Sequence, residues 1–274
     1  MMYLEIKNLE ISFPTPKGKY TAVRNIDLEI KKGEIVSIIG HSGCGKSTIM
    51  NAVGGMLTPT KGTVTINGQP VKGPGPDRGI VFQNYSLLPW LTVYENIFQA
   101  VDAAVKNKTR DEKKEITEKY IKMVGLSSHR EKLPKQMSGG MKQRVAIARA
   151  FAINPDMLLL DEPFGALDAL TKGDMHIELL KLWNLENRSK TIIMVTHDIE
   201  EAIFLSDRIV VMTDGPAATI REIEELHLPR PRNKKEIVSM PEYKIIRERL
   251  LSLLMDKVEI DQADFYQAAE VEVG

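Results

Sequence analysis

Gly40-His41-Ser42-Gly43-Cys44-Gly45-Lys46-Ser47-Thr48 fits the spacing G-x-x-x-x-G-K-[ST], and the residues on either side give the match its meaning. Ahead of it Glu34-Ile35-Val36-Ser37-Ile38-Ile39 is a β-branched run that reads as a buried strand; behind it Ile49-Met50-Asn51-Ala52-Val53 suits a helix. A strand, a glycine loop and a helix in that order make a phosphate cradle. Gly40, Gly43 and Gly45 let the backbone turn tightly and approach a polyphosphate, so that successive N–H groups and the helix N-terminus face anionic oxygens. Lys46 adds a cation for the β- and γ-phosphates, Ser47 a hydroxyl for Mg²⁺, and Thr48 a second hydroxyl nearby. His41, Ser42 and Cys44 belong to the nucleotide loop by position, and neither His41 nor Cys44 is assigned a catalytic role. Oxidation of Cys44 would block the site.

The chain around this loop has 274 residues, enough for one large or two modest domains with a real core. Its 37 basic and 37 acidic residues leave no net charge to steer it towards nucleic acid or an anionic bilayer. Cys44 is the single cysteine, which excludes an intrachain disulfide framework and a cysteine-rich zinc module and fits a reducing compartment. The start, Met1 to Lys7, lacks the basic and apolar regions of a signal peptide. No apolar run approaches the roughly 18 to 20 residues that span a bilayer. A soluble chain is expected, attached to a membrane only through a partner.

From Tyr3 to about Ile30 apolar residues alternate, as at Leu4 and Ile6 and again at Ile26, Leu28 and Ile30, which predicts short antiparallel strands around a long loop containing Pro14, Pro16 and Gly18. Thr63 to Gly68 predicts a strand ending in an Asn-Gly turn, and Gly79 to Phe82 another buried strand. Between Asn84 and about Ala152 the period moves towards 3.6, predicting a helical insertion; in it Thr109 caps a helix that ends at Gly125 and turns a charged face to solvent. Strand and helix then alternate again through Met157–Leu160, Thr191–Val195 and Arg208–Met212, the pattern of a parallel sheet with helices on both faces. Beyond Gly215 the pattern changes: Pro229 and Pro231 mark a break, and Tyr243 to Met255 reads as a helix.

The second chemical signal is Asp161-Glu162 at the carboxyl end of the apolar strand Met157 to Leu160, where open α/β sheets bind ligands. Asp161 is placed to hold Mg²⁺, and Glu162 to orient or deprotonate an attacking water. Pro163 directly after argues against a mere helix cap.

Met137-Ser138-Gly139-Gly140-Met141-Lys142-Gln143-Arg144, ahead of that strand, resembles the signature of ATP-binding cassette proteins, and the resemblance runs over about residues 3 to 225. It implies a phosphate-loop NTPase core of α/β class with a mainly parallel sheet, an N-terminal antiparallel β subdomain and an inserted helical subdomain at about 84–153. The ATPase domain would span 1–235, with 236–274 as a short helical extension. By the same resemblance ATP and Mg²⁺ are the ligands. Ser138, Gly139 and Gly140 would cover the nucleotide of a second cassette packed head to tail, and Asp168 would reach across that dimer. Gln83 would ligate Mg²⁺ alongside Ser47 and Asp161 and sense a membrane partner; His197 would contact the γ-phosphate and Glu162 would be the catalytic base. Phe13 would stack on adenine, with Tyr20 as the competitor. Met137 and Met141 depart from the family pattern: the first is nearly volume-conserving, the second removes an amide and with it any ribose contact there.

Phe82 to Thr92, with Leu88-Pro89-Trp90, presents large apolar residues just after Gln83, where transporter ATPases receive a permease helix. With Pro74 to Arg78, the Met141 variant, and Gly215-Pro216 followed by Pro229 to Arg232, the chain is similar to the ATPases of nitrate, sulfonate and taurine importers, most of all to the nitrate and bicarbonate branch. That implies permease subunits, an external solute-binding protein and a place at the inner face of the membrane. A taurine or alkanesulfonate importer is the alternative. A soluble cassette ATPase acting on DNA or ribosomes would need coiled coils, zinc-binding cysteines or a second cassette, none of which is in the sequence.

Overall fold

The computed structural model describes residues 2–16, 18–165, 167–185 and 190–255. Ala166, two residues before Asp168, and residues 256–274 of the expected extension lie outside them.

The apolar runs form a six-stranded sheet. Its order is β10 (Ile220–Glu225), β9 (Arg208–Met212), β3 (Ile35–Ile39), β8 (Thr191–Val195), β7 (Met157–Asp161) and β6 (Arg78–Val81). Five of these strands are parallel; β10 pairs antiparallel with β9. β10 has no counterpart in the sequence reading, because Arg221, Glu222 and Glu224 break its apolar pattern at a half-covered edge. In the buried strands successive residues serve opposite faces. Ile35, Leu158, Leu160, Ile192 and Met194 join one apolar cluster with the helices, while Val36, Ile38, Leu159, Ile193 and Val195 join another beneath the second sheet. β-Branched and leucine side chains on both faces are what sandwich the sheet between two layers.

The second sheet is antiparallel, in the order β2 (Gly18–Lys31), β1 (Met2–Thr15), β4 (Lys61–Ile66), β5 (Gln69–Pro70). Here the expectation of short strands around a long loop is corrected: β1 and β2 are 14 residues each and stay paired to the tip, with Thr15 opposite Gly18. Pro14 is accommodated in the final pairs, past Glu10, the last β1 residue paired with β4, where β1 is paired on one side only and a missing donor is tolerated. The Asn67-Gly68 turn between β4 and β5 has both residues at positive φ, as its type demands.

Between β6 and β7 lie α2 (Val93–Ala104), α3 (Arg110–Met123) and α4 (Gly139–Ala152). Thr92 and Thr109 each accept from the backbone N–H three residues on, and Glu95 and Glu112 return the bond, so both helices begin in capping boxes. α3 keeps Lys113, Thr117, Tyr120 and Ile121 inside and its other charges in solvent. α1 (Lys46–Val53) follows β3; α5 (Ala169–Leu185), α6 (Ile199–Leu205), α7 (Lys234–Ile237) and α8 (Pro241–Met255) are the later helices of the described residues. Ile237, Tyr243 and Leu250 of the last two pack into the same core as Phe204. Among the described residues no helix is long and apolar enough to cross a membrane.

Candidate functional site

Strand order brings the chemistry together. β3, β8, β7 and β6 lie side by side and parallel, so the segments leaving their carboxyl ends converge: the glycine loop after β3, His197 after β8, Glu162 after β7 and Gln83 after β6. They surround a cleft of about 550 Å³. Ser42, Gly43, Gly45, Lys46, Ser47 and Thr48 line its floor, Gln83, Glu162 and His197 one wall, and Phe13, Tyr20 and Ala22 the other.

The floor depends on a left-handed turn. Gly45 caps α1 at φ 89°, and a Cβ there would lie 2.3 Å from Val23 Cγ1, so only glycine lets the loop pass under β2 and start the helix. Lys46 is buried, and its ammonium donates to the carbonyls of Gly40 and His41, both at 2.8 Å. Gly40, His41 and Cys44 do not line the cleft. His41 turns to Asp214, with Nδ1 and Oδ1 2.6 Å apart. Cys44 is buried, and burial pushes its thiol up against the opposing pull of Lys46; a thiol that stays protonated and covered is a poor target, which counts against oxidation as a control of the site.

On the facing wall, Glu162 has φ 44°, a left-handed conformation that costs a non-glycine residue about 1 kcal/mol or more. Its N–H donates to Val195 across the sheet. Its carboxylate accepts from Gln83 Nε2 at 3.0 Å and lies 3.5 Å from His197 Nδ1. Asp161 accepts from the Ser47 hydroxyl at 3.0 Å. Burial raises the Asp161 carboxyl, Glu162 adds to the rise, and the Ser47 bond and Lys46 oppose it. Two residues from distant parts of the sequence, Gln83 and His197, thus meet at Glu162, and Ser47 ties the loop to β7.

Phe13 and Tyr20 are directly opposed in the β1–β2 register, so both rings stand on one face of the hairpin over the cleft. The long loop expected between them is absent, and neither is set aside by distance.

Ser138, Gly139, Gly140 and Asp168 line a different cleft, of about 300 Å³, which shares no lining residue with the first. Ser138 caps α4, accepting the Met141 N–H at 3.3 Å. Asp168 opens α5, accepting from the Thr171 N–H at 3.0 Å and the Thr171 hydroxyl at 2.7 Å, bonds that hold its carboxylate below the usual range. The two helix starts are close enough that a Cβ on Gly140 would lie 3.0 Å from Thr171 Cγ2. Two helix N-termini therefore face one opening, which shares no lining residue with the cleft over the chain's own glycine loop. His129 and Arg144 also line it; Arg144 closes the signature stretch quoted above but was given no role there, and His129 was not in the sequence reading. Arg144, three residues after Met141 on the same helix face, could have been found by its spacing. His129 sits in a short 3₁₀ turn that leaves no periodic signal.

A sequence profile described as ABC transporter matches residues 23–165. The bicarbonate transport ATP-binding protein CmpD of Synechocystis sp. is 50% identical over 255 residues, covering 93% of this chain and 90% of its own. The nitrate import ATP-binding protein NrtD of Synechococcus elongatus is 51% identical over 243 residues, covering 89% and 88%. Among solved structures, a dimeric ATP-binding cassette in a post-hydrolysis state bound to ADP and Pi superposes with a TM-score of 0.73 at 34% identity, over 82% of this chain and all of that one. With its strand order, glycine loop and paired clefts, the chain belongs to the ABC transporter family.

Proposed function

We propose that the chain is the ATP-hydrolysing subunit of an importer for a small oxyanion of the nitrate and bicarbonate kind, working through permease subunits at the inner face of the membrane. The observation that carries the ATPase reading is the convergence of Lys46, Ser47, Asp161, Glu162, Gln83 and His197 at one sheet edge. Similarity to the bicarbonate and nitrate proteins supports the cargo. The ATPase unit is proposed as residues 1–235, with the helices of 84–153 inserted and 236–274 appended.

In this reading the glycine loop and the start of α1 hold the phosphates, with Lys46 at the β- and γ-oxygens. The Ser47 hydroxyl, an Asp161 oxygen and the Gln83 amide oxygen are hard donors beside a carboxylate that burial leaves short of positive charge, and they fit Mg²⁺. That ion, when bound, would neutralise charge on the β- and γ-oxygens. Glu162 takes the proton of the attacking water, and His197, across from it, meets the γ-phosphate. The second cleft then faces the nucleotide of a partner cassette. Ser138, Gly139 and Gly140 supply N–H groups to its γ-phosphate, while Asp168 braces the contact, so the electrostatic complement is complete only in the closed dimer. Trp90, 70% exposed beyond Gln83, is proposed as part of the permease contact, on a segment pinned by Asn96 and Arg149 to the backbone of 85–91.

The test is to purify the tagged chain with its membrane partners in mild detergent and follow ATP hydrolysis with the binding protein and nitrate, nitrite, bicarbonate, cyanate or taurine. Co-purifying permease and stimulation by nitrate or bicarbonate is the expected outcome. Stimulation by taurine alone would move the cargo to the sulfonates, and no membrane partner would overturn the importer.

One ring prediction follows from the hairpin register. Phe13→Ala is expected to weaken ATP binding by about 1 to 3 kcal/mol, the worth of one base on an aromatic ring, and Tyr20→Ala by less, because Tyr20 is the more exposed ring. Titration of a fluorescent ATP analogue reads both; a larger loss for Tyr20→Ala would transfer the stacking role.

A further inference from the structure

His197 is placed by its neighbours more than by its own side chain, which is 62% exposed and reaches Glu162 only across 3.5 Å. On one side Thr196 is buried; its hydroxyl donates to Glu201 Oε2 at 3.1 Å and accepts the Asp198 N–H at 3.1 Å. On the other side Asp198 opens α6, accepting the Glu201 N–H at 3.0 Å. A single cation closes this cluster. Lys172 Nζ donates to Asp198 Oδ2 at 2.9 Å and stands 3.6 Å from Glu201 Oε2.

Lys172 lies in the first turn of α5, and its backbone N–H donates to the carbonyl of Asp168 at 2.8 Å. The segment bearing His197 and the segment bearing Asp168 are therefore joined through one residue. The bridge is partly shielded: the side chain of Lys172 is 18% exposed, that of Asp198 30% and that of Glu201 3%. Burial works against the charge of Lys172, but Asp198 and Glu201 outweigh it and raise its pKa. Burial pushes Glu201 up to about 7, so Asp198, held low by the same ammonium against its own burial, is the principal counter-ion. One turn on from Lys172, His176 fills the space behind: its ring meets Phe164 edge-on at 4.7 Å, and Nε2 lies 3.9 Å from Glu201 Oε1. Phe164 is two residues past Glu162, so the packing that backs the cluster also backs the carboxylate wall.

We propose that Lys172 is a positioning residue that sets His197 relative to the Asp168 loop, so that a displacement of that loop reaches His197 through the Lys172–Asp198 bridge. The coupling runs through hydrogen bonds and a rigid helix start, a contiguous path of the kind that carries energy between sites. The proposal rests on the reading of His197 and Asp168 as parts of the nucleotide site.

The experiment measures steady-state ATP hydrolysis of the full-length chain, with folding checked by circular dichroism. Lys172→Met keeps most of the stem and removes the charge. It is expected to lower kcat about tenfold with KM for ATP within about twofold, Lys172→Arg restoring most of the rate. On a His197→Ala background the same change is expected to cost less than about twofold more, because residues acting as a unit are not additive. Asp198→Asn, which keeps a capping oxygen, is the second variant should Lys172→Met fold poorly; the same kcat loss is expected. Wild-type kcat in the folded variants, or a full tenfold loss retained on the His197→Ala background, overturns the positioning role while the site stands. A His197→Ala chain that hydrolyses ATP at the wild-type rate overturns the reading of the site and the proposal with it.

Discussion

Glu162→Gln is expected to lower ATP turnover by about 10² to 10⁴-fold, the usual worth of a positioned general base, and to leave ATP binding nearly unchanged. The amide is isosteric and can still meet Gln83 and His197, so the wall of the cleft stays in place. What it loses is the capacity to accept the proton of water. In the proposed cycle bound ATP then persists, and with it the closed pair of cassettes, so a dimer is expected to accumulate in the presence of ATP. Size-exclusion chromatography with ATP and a phosphate-release assay read the two halves. Turnover at the wild-type rate would remove Glu162 from the role, and loss of ATP binding would mean that the carboxylate serves the floor of the site instead.

Lys46→Ala acts one step earlier. The ammonium is buried and held by two loop carbonyls, so it is oriented before any phosphate arrives and little ordering remains to be done on binding. Deleting one partner of a buried, hydrogen-bonded charge pair costs about 2 to 5 kcal/mol, which is roughly 30- to several-thousand-fold in affinity. Arginine is not a substitute, since its planar fork does not fit a position built around a compact ammonium between Gly40 and His41. Calorimetric titration with ATP is the measurement, and unaltered affinity in a folded Lys46→Ala chain would sink the phosphate site.

The two variants separate binding from chemistry because their residues leave neighbouring regions of one edge in different directions. Lys46 belongs to the floor at the start of α1, whereas Glu162 stands on the wall after β7 in a left-handed conformation. The Ser47 to Asp161 hydrogen bond is the seam between them.

Gly40 to Thr48 was legible from sequence because spacing alone encodes a glycine turn and a helix start, and both are local. Thr109 and Gly125 were legible for the same reason: a capping box and a left-handed end are decided within a few residues. So were the strands buried on both faces, since a continuous apolar run needs no partner to be recognised. β10 and the full length of the β1–β2 hairpin were not, because an edge strand rich in glutamate and a strand carrying Pro14 look like loop until a neighbour pairs with them.

By itself the sequence determined the local chemistry: a phosphate loop, a strand ending in two carboxylates, a signature helix capped by Ser138. Tertiary structure decided which of these meet. Placing β8 between β3 and β7 is what sets His197 opposite Glu162 in the cleft that Lys46 also lines, and the α4 and α5 N-termini share a second cleft only because Gly140 lets them approach. It also decided that Lys172, an unremarked cation in a helix, would be half-buried against Asp198 and Glu201. The physical reason is that side-chain periodicity reports which face of an element is covered, while the strand order that chooses its neighbours is fixed by long-range burial, which no local pattern records.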